Sequence, residues 1–444
     1  MSSIPPAHII SVTAGAVTAR KHWDFPQEEV LRGSFADYVA EFRHLLEQAV
    51  ERRLRSAHPV GVWVSGGVDS SSVFCLADSL ARRGTLGFPN AQGITSTVRD
   101  GSTADEGAYI DEIERYQGAS IHRVPLKPGF LEGSEQTVWH AENPRLDLLW
   151  SMTGQLQRAT RQLGCRVVLT GIGADETHSD QAYLVDLFRR LSWRRIAAHL
   201  REIPRWYTDT DPTYFARQFR HQLLRHHAPG AVMSLYRHLR VRARPPERDG
   251  SWYAPAFRDR MRLPREQSRC AGPLANVHAK SVCMYMRSRI YDLKVDLRNK
   301  VGAMDGVQLT YPYLDSDVLS FLTSIPGEVM TNNGVPKGLL REAMRGRMPD
   351  SIVERRWKAD FTELAKKGVE QDWSGVVRYL QTHSSSIKLG YVDGAALRKA
   401  LPAHLFEINK AWEAAPIRSL TVLVGLEVWL QTFFPGNFDS GAGT

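Results

Sequence analysis

The stretch VWVSGGVDSSS, Val62 to Ser72, constrains this chain more than any other. An apolar run stops at Val64, a serine and two glycines follow, and Asp69 stands beside three serines where a helix begins. Gly66 and Gly67 allow a sharp turn with backbone N–H groups facing outward. Those donors, the serine hydroxyls and the positive end of the helix make an anion site, for which a phosphate is the natural occupant. No lysine follows the glycines as it does in GxxxxGK[ST] loops, so the neutralising cation must come from elsewhere. Asp69 offers one ligand for Mg2+, which binds through one or two carboxylates plus phosphate oxygens. The plainer alternative is a strand–turn–helix with an acid capping the helix.

The surrounding pattern supplies a fold. Strands are expected at 59–64, 91–98, 120–126 and 165–171, with helices at 71–83, 104–118 and 151–164 between them. A further amphipathic helix starts after Ser34, with Phe42, Leu45, Leu46 and Val50 at helical spacing. Alternating strands and helices imply right-handed crossovers and a parallel sheet with helices on both faces, an α/β fold. Ligands of such sheets bind beyond the carboxyl ends of the strands, where Ser65–Asp69 would lie. The expected divisions are an N-terminal segment and linker (1–33), an α/β core (34–180), a basic helical insertion (181–300), an extended helical C-terminal region (301–435) and a tail (436–444). Two helices are expected in LTYPYLDSDVLSFLTSIP and VPKGLLREAMRGRMP.

Composition narrows the class. The net charge is +9, with much of the excess in 189–248, where aromatics including Trp193, Trp206 and Tyr207 interleave with arginines. Such a balance favours an acidic partner such as a nucleotide, while helical spacing explains most of the aromatics as a buried stripe. No apolar run of about 18 residues is present, and the N-terminus lacks the basic start of a secretory signal, so a cytoplasmic protein without a membrane partner is expected. Four scattered cysteines form no C-x-x-C pair, which argues against zinc, and Cys75 and Cys165 fall in apolar patterns as core residues.

SGGVDSS resembles the pyrophosphate loop of the N-type ATP pyrophosphatases (PP-loop enzymes of the adenine nucleotide α-hydrolase-like fold). That group includes asparagine synthetase, β-lactam synthetase, lasso-peptide macrolactam synthetase, GMP synthetase and argininosuccinate synthetase. VVLTGIGADE (167–176), ADEGAYIDEIERYQGASIHRV, YPYLD (311–315), GVPKGLLREAM (334–344) and RRWKADF (355–361) follow the order and spacing of the asparagine synthetase branch. The resemblance runs from about Trp23 to Trp429.

It implies an enzyme that activates a carboxylate with ATP, releases pyrophosphate and lets an amine displace AMP to form an amide. Asp69 and Asp175 match the two aspartates that hold Mg2+. Ser65, Gly66, Gly67, Ser70 and Ser71 would bind pyrophosphate, Gly171 and Gly173 would contact the nucleotide, and backbone near Val62–Val64 and Ser96–Val98, including Thr97, would hold the adenosine. Lys337 matches a lysine near the β- and γ-phosphates, and Lys358 a lysine that stabilises the transition states. Read without that resemblance, Lys337 is a first-turn residue of a solvated helix and Lys358 a member of a basic run.

Departures narrow the substrate. Ile172 replaces the Glu of asparagine synthetase and the Tyr of β-lactam synthetase, so no acid–base role carries over. Gln308-Leu309-Thr310 replaces a Glu-x-Arg, and Asn299-Lys300 an Asp-Arg. Free aspartate is therefore a doubtful substrate.

Glutamine-dependent members start with a catalytic cysteine in a glutaminase domain of roughly 200 residues. Here Ser2 stands in that place and 64 residues precede the loop, so no glutaminase activity is expected. The expected substrates are a small-molecule or peptide carboxylate and an amine, with a pathway partner protein as a further expectation. A lasso-type macrolactam synthetase, an ammonia-using asparagine synthase, a retired scaffold and a tRNA-modifying enzyme are the alternatives. The last would usually show cysteines or an RNA-binding domain, so no nucleic-acid partner is expected.

Overall fold

The computed structural model of the chain describes residues 4, 6–28, 33–84, 91–98, 104–144, 146–147, 149–178, 181–207, 212–227, 252–260, 274–356, 359–382, 384–404 and 415–435. Lys358, most of 208–273 and the 436–444 tail lie outside the described residues.

Strands β1 (His8–Thr13) and β2 (Ala16–Lys21) pair antiparallel in a hairpin that no apolar periodicity announces, because nearly all of it faces solvent. Helix α1 (Phe35–Arg53) starts at Ser34 as expected. The Ser34 hydroxyl accepts from the Asp37 N–H, and the Asp37 carboxylate accepts from the Ser34 N–H, closing a capping box.

Then come β3 (Val60–Trp63), α2 (Val68–Arg82), β4 (Ala91–Thr97), α3 (Gly107–Gln117) and β5 (Ile121–Pro125). They are followed by α4 (Ser134–Ala141), α5 (Trp150–Gln162), β6 (Val167–Leu169) and α6 (Ala174–His178), and later by β7 (Gln308–Thr310). The sheet has the order β5-β4-β3-β6-β7 and every pairing in it is parallel. Strand β7 runs into the segment expected to be one helix. LTYPYLDSDVLSFLTSIP instead divides into the end of β7, a short 3-10 turn at Pro312–Leu314 and a helix at Ser316–Ser324. Proline at 312 cannot continue a ladder, and Asp315 caps the following helix by accepting from the Asp317 N–H.

Alternation within β3 builds both faces. Val60, Val62 and Val64 are buried with Phe42 and Leu46 of α1, Phe74 of α2 and Leu339 and Leu340 further on. Gly61 and Trp63 face the other way, beneath α5. A Cβ on Gly61 would lie 3.4 Å from the Thr160 methyl, and the Trp63 indole N–H donates to Thr160 Oγ1 at 3.1 Å. The chain leaves β3 towards β4 on one side and β6 pairs on the other. The carboxyl ends of β3 and β6 therefore flank the switch in strand order, the place where such sheets hold ligands.

Candidate active site

The loop after β3 is shaped by its own serines. The Ser65 N–H donates to Ser70 Oγ at 2.8 Å, the two hydroxyls meet at 2.9 Å, and the Ser71 hydroxyl donates to the Ser65 carbonyl at 2.7 Å. Ser71 is fully buried, so its hydroxyl maintains the turn and does not face the cavity. Gly66 is required sterically, since a Cβ there would fall 2.4 Å from Arg355 Nη1 and 2.7 Å from Tyr109 Cβ. The loop after β6 lies against it, and a Cβ on Gly171 would come 2.7 Å from the Ser70 nitrogen. Gly173 takes a left-handed φ of 102°. Its N–H donates to Glu176, whose other carboxylate oxygen accepts from Lys294 Nζ at 2.9 Å.

These loops open into a cavity of about 510 Å³ whose wall includes Ser65, Gly67, Asp69, Asp175 and Lys337. Val62 and Val64 are buried beneath it. Ser96 and Thr97 end the neighbouring strand β4, and with Ile172, Gly66, Ser70, Gly171 and Gly173 they stay outside the wall.

Lys337 draws the two aspartates together. Its ammonium donates to both Asp69 oxygens, at 2.6 and 2.8 Å, and pairs with Asp175 Oδ1 at 2.5 Å. Burial alone would lower its pKa, but the two carboxylates outweigh that and raise it above 10.5, so the group is charged. Residue 337 itself is left-handed, φ 58°, and follows Asn332, Asn333 and Gly334, which all have positive φ. Such backbone is costly for residues other than glycine, and its concentration beside a site is a mark of function.

Arg355 is a second buried cation at the phosphate loop. It is 2% exposed, bonds Glu106 at 2.8 Å and lies 4.2 Å above the Tyr109 ring. In the sequence Arg355 opens the family-like stretch RRWKADF, where only Lys358 is singled out. Removing one member of a buried pair strands the other charge. Arg355→Met is therefore expected to lower the unfolding free energy by about 3–5 kcal/mol, read from urea midpoints, whereas a change below about 1 kcal/mol would show the pair to be solvated.

The structure also buries His178 on α6, three residues past Asp175. Its Nδ1 lies 2.8 Å from the Thr177 hydroxyl and 3.1 Å from the Ala174 carbonyl. Burial first, and the nearby Lys337 charge second, push its pKa down to about 3. A depressed histidine stabilises the fold fully above its unfolded pKa of 6.5 and loses that contribution as pH falls towards 3. The stability advantage of wild type over His178→Gln should shrink through that window, measured by denaturation from pH 7 to 4. A constant difference would contradict a buried neutral imidazole.

Two carboxylates that converge on one cation fit Mg2+ in its usual manner, through few protein ligands completed by phosphate oxygens. Among the described residues, no group of three or more His, Cys, Asp or Glu converges on one point. Lys337 stands as the cation between them in this structure.

Comparisons with known proteins identify the family and its relatives. The asparagine synthase family profile matches residues 41–431. The chain is similar to Amidase chyE of Penicillium rubens, 23% identical over 90% of this chain and 63% of that protein. It is also similar to asparagine synthetase [glutamine-hydrolyzing] 1 of Bacillus subtilis, 23% identical over 95% of this chain and 65% of that one. A shorter match, 31% identical over 35% of this chain and 25% of its relative, is to Amidase chry2 of Gibberella zeae. The chain thus spans less than two thirds of the length of each of these relatives.

Proposed function

The chain belongs to the asparagine synthase family, and from that premise we propose that it is an ATP-dependent amide synthetase that forms AMP and pyrophosphate. The observation that carries the reading is the convergence of Asp69, Asp175 and Lys337 in front of the Ser65–Gly67 turn. A carboxylate oxygen attacks the α-phosphorus of ATP, the bond to the β-phosphate oxygen breaks, and an amine then displaces AMP from the acyl group. Pyrophosphate leaves with several negative charges, which fixed cations and donors must meet.

In this reading the Ser65–Gly67 turn and the start of α2 face the leaving phosphates, while the Ser65 and Gly67 N–H groups are held inside the loop by Ser70 Oγ and Ser65 Oγ. Lys337 moves part of its charge from the aspartates to a phosphate oxygen, and Arg355, which lines the same cavity, lies against the turn at Gly66. Asp69 and Asp175 would hold Mg2+, which supplies Lewis-acid neutralisation of the phosphates. Lys358 would stabilise the transition states. Ile172 cannot exchange a proton, so the amine loses its proton to another group or to solvent.

The substrates are a carboxylate and an amine other than aspartate and ammonia. The support is Ile172 and the run Gln308-Leu309-Thr310, together with similarity to a fungal protein named as an amidase. Natural-product biosynthesis is the setting this suggests.

Calorimetry with Mg2+ and pyrophosphate tests the site without any knowledge of those substrates. Wild type should bind pyrophosphate in a Mg2+-dependent way, and Asp175→Asn should weaken it by about tenfold or more, the loss of one charged ligand. Equal binding with and without Mg2+ would contradict the assignment.

A further inference from the structure

Arg341 belongs to the helix Gly338–Met344 and makes three hydrogen bonds with one guanidinium. Nε donates to the Pro336 carbonyl at 2.8 Å, Nη1 to the Val353 carbonyl, and Nη2 to the Arg355 carbonyl at 2.9 Å. Pro336 directly precedes Lys337. One side chain therefore joins the left-handed turn that carries Lys337 to the segment that carries Arg355.

The outer side of the guanidinium is covered by Trp206, whose ring lies 4.6 Å from Arg341 Cζ. Arg356 stands 5.4 Å from the same ring, so two guanidinium groups use one indole. The indole N–H donates to Glu202 at 3.1 Å, which fixes the ring in place. Arg341 is pushed down to a pKa of about 10 by burial. A partly buried guanidinium with no carboxylate hydrogen-bond partner among the described residues is costly unless its donors and its face are met, and here carbonyls and an aromatic face meet them.

We propose that Arg341, seated on Trp206, is the positioning residue that sets Lys337 and Arg355 against the phosphate loop. This rests on the function proposed above. A lysine at 341 keeps the charge but has no planar fork with which to span three carbonyls. Displacement of reacting groups by about 1 Å can cost about 10²-fold in rate. The tether therefore acts on turnover as well as on stability.

The test uses Arg341→Lys, Trp206→Leu and Trp206→Phe in the full chain. Turnover by Arg341→Lys should fall about 10–100-fold with little change in KM for ATP, and Trp206→Leu should fall about tenfold. Trp206→Phe, which keeps an aromatic face, should recover most of the Trp206→Leu loss.

An arm independent of activity follows acylation of Lys337 by peptide mass spectrometry, with Lys294 as the internal reference. Release from the aspartates should raise Lys337 modification several-fold in Arg341→Lys and in Trp206→Leu. Unchanged Lys337 reactivity in both, or turnover that falls only with the folded fraction, would overturn the proposal. If Arg341→Lys does not fold, the two Trp206 variants decide alone. Absence of AMP from wild type, with Lys337 reactivity shifted as expected, would instead refute the proposed function and leave the tether standing.

Discussion

Asp69→Asn is expected to lower AMP release by about 10²–10³-fold, the usual effect of removing a preorganised electrostatic contact in a transition state. Asp69 touches Lys337 with both oxygens and is 20% exposed, and the α2 start behind it is fixed by the Tyr313 hydroxyl, which donates to the Asp69 carbonyl at 3.2 Å. Asparagine keeps the shape and removes the charge, so the fold should survive. The measurement is single-turnover AMP release beside a thermal melt. An unfolded variant would make the loss uninformative about charge, and Asp175→Asn, at a half-exposed position, then takes its place.

Lys337→Met should lose a comparable factor, because interactions made in the transition state appear in the rate of chemistry. Lys337→Gly separates the ammonium from the backbone. Both variants lose the charge, yet glycine fits φ 58° without strain, while methionine retains a cost of about 1 kcal/mol. Turnover should therefore be equally low in the two, with the glycine variant melting higher. Near-normal turnover in either would remove Lys337 from the site, and a lower melting temperature for the glycine variant would show that the left-handed turn is not strained.

Much of this arrangement is legible in the sequence, for reasons that differ by residue. Ser65–Ser71 is legible because strand, turn and helix signals fall in eleven residues, and the glycine requirement is steric. The parallel sheet is legible because its helices and strands alternate. Strand β7 is not, since three residues beside Pro312 carry no period, and it gains order only by pairing with β6.

The hairpin His8–Lys21 escapes because neither of its faces is buried. Glu106 and Arg355 are 249 positions apart and each looks like an ordinary surface charge until the fold joins them. Trp206 reads as part of a buried helical stripe, but its ring carries two arginines. Lys337 is recognised by resemblance, and its bond to both aspartates is a tertiary fact. Cys75 and Cys165 are buried as expected, with burial pushing their thiols up to about 12 and about 11.

The most direct test of an AMP-forming ligase built on Asp69, Asp175 and Lys337 is the identity of the nucleotide product. Purified protein is incubated with ATP, Mg2+ and a panel of carboxylates and amines, and the nucleotides are separated by chromatography beside a pyrophosphate assay. AMP and pyrophosphate should appear in equal amounts, only with Mg2+, and should vanish with Asp69→Asn. ADP and inorganic phosphate in their place would contradict the account.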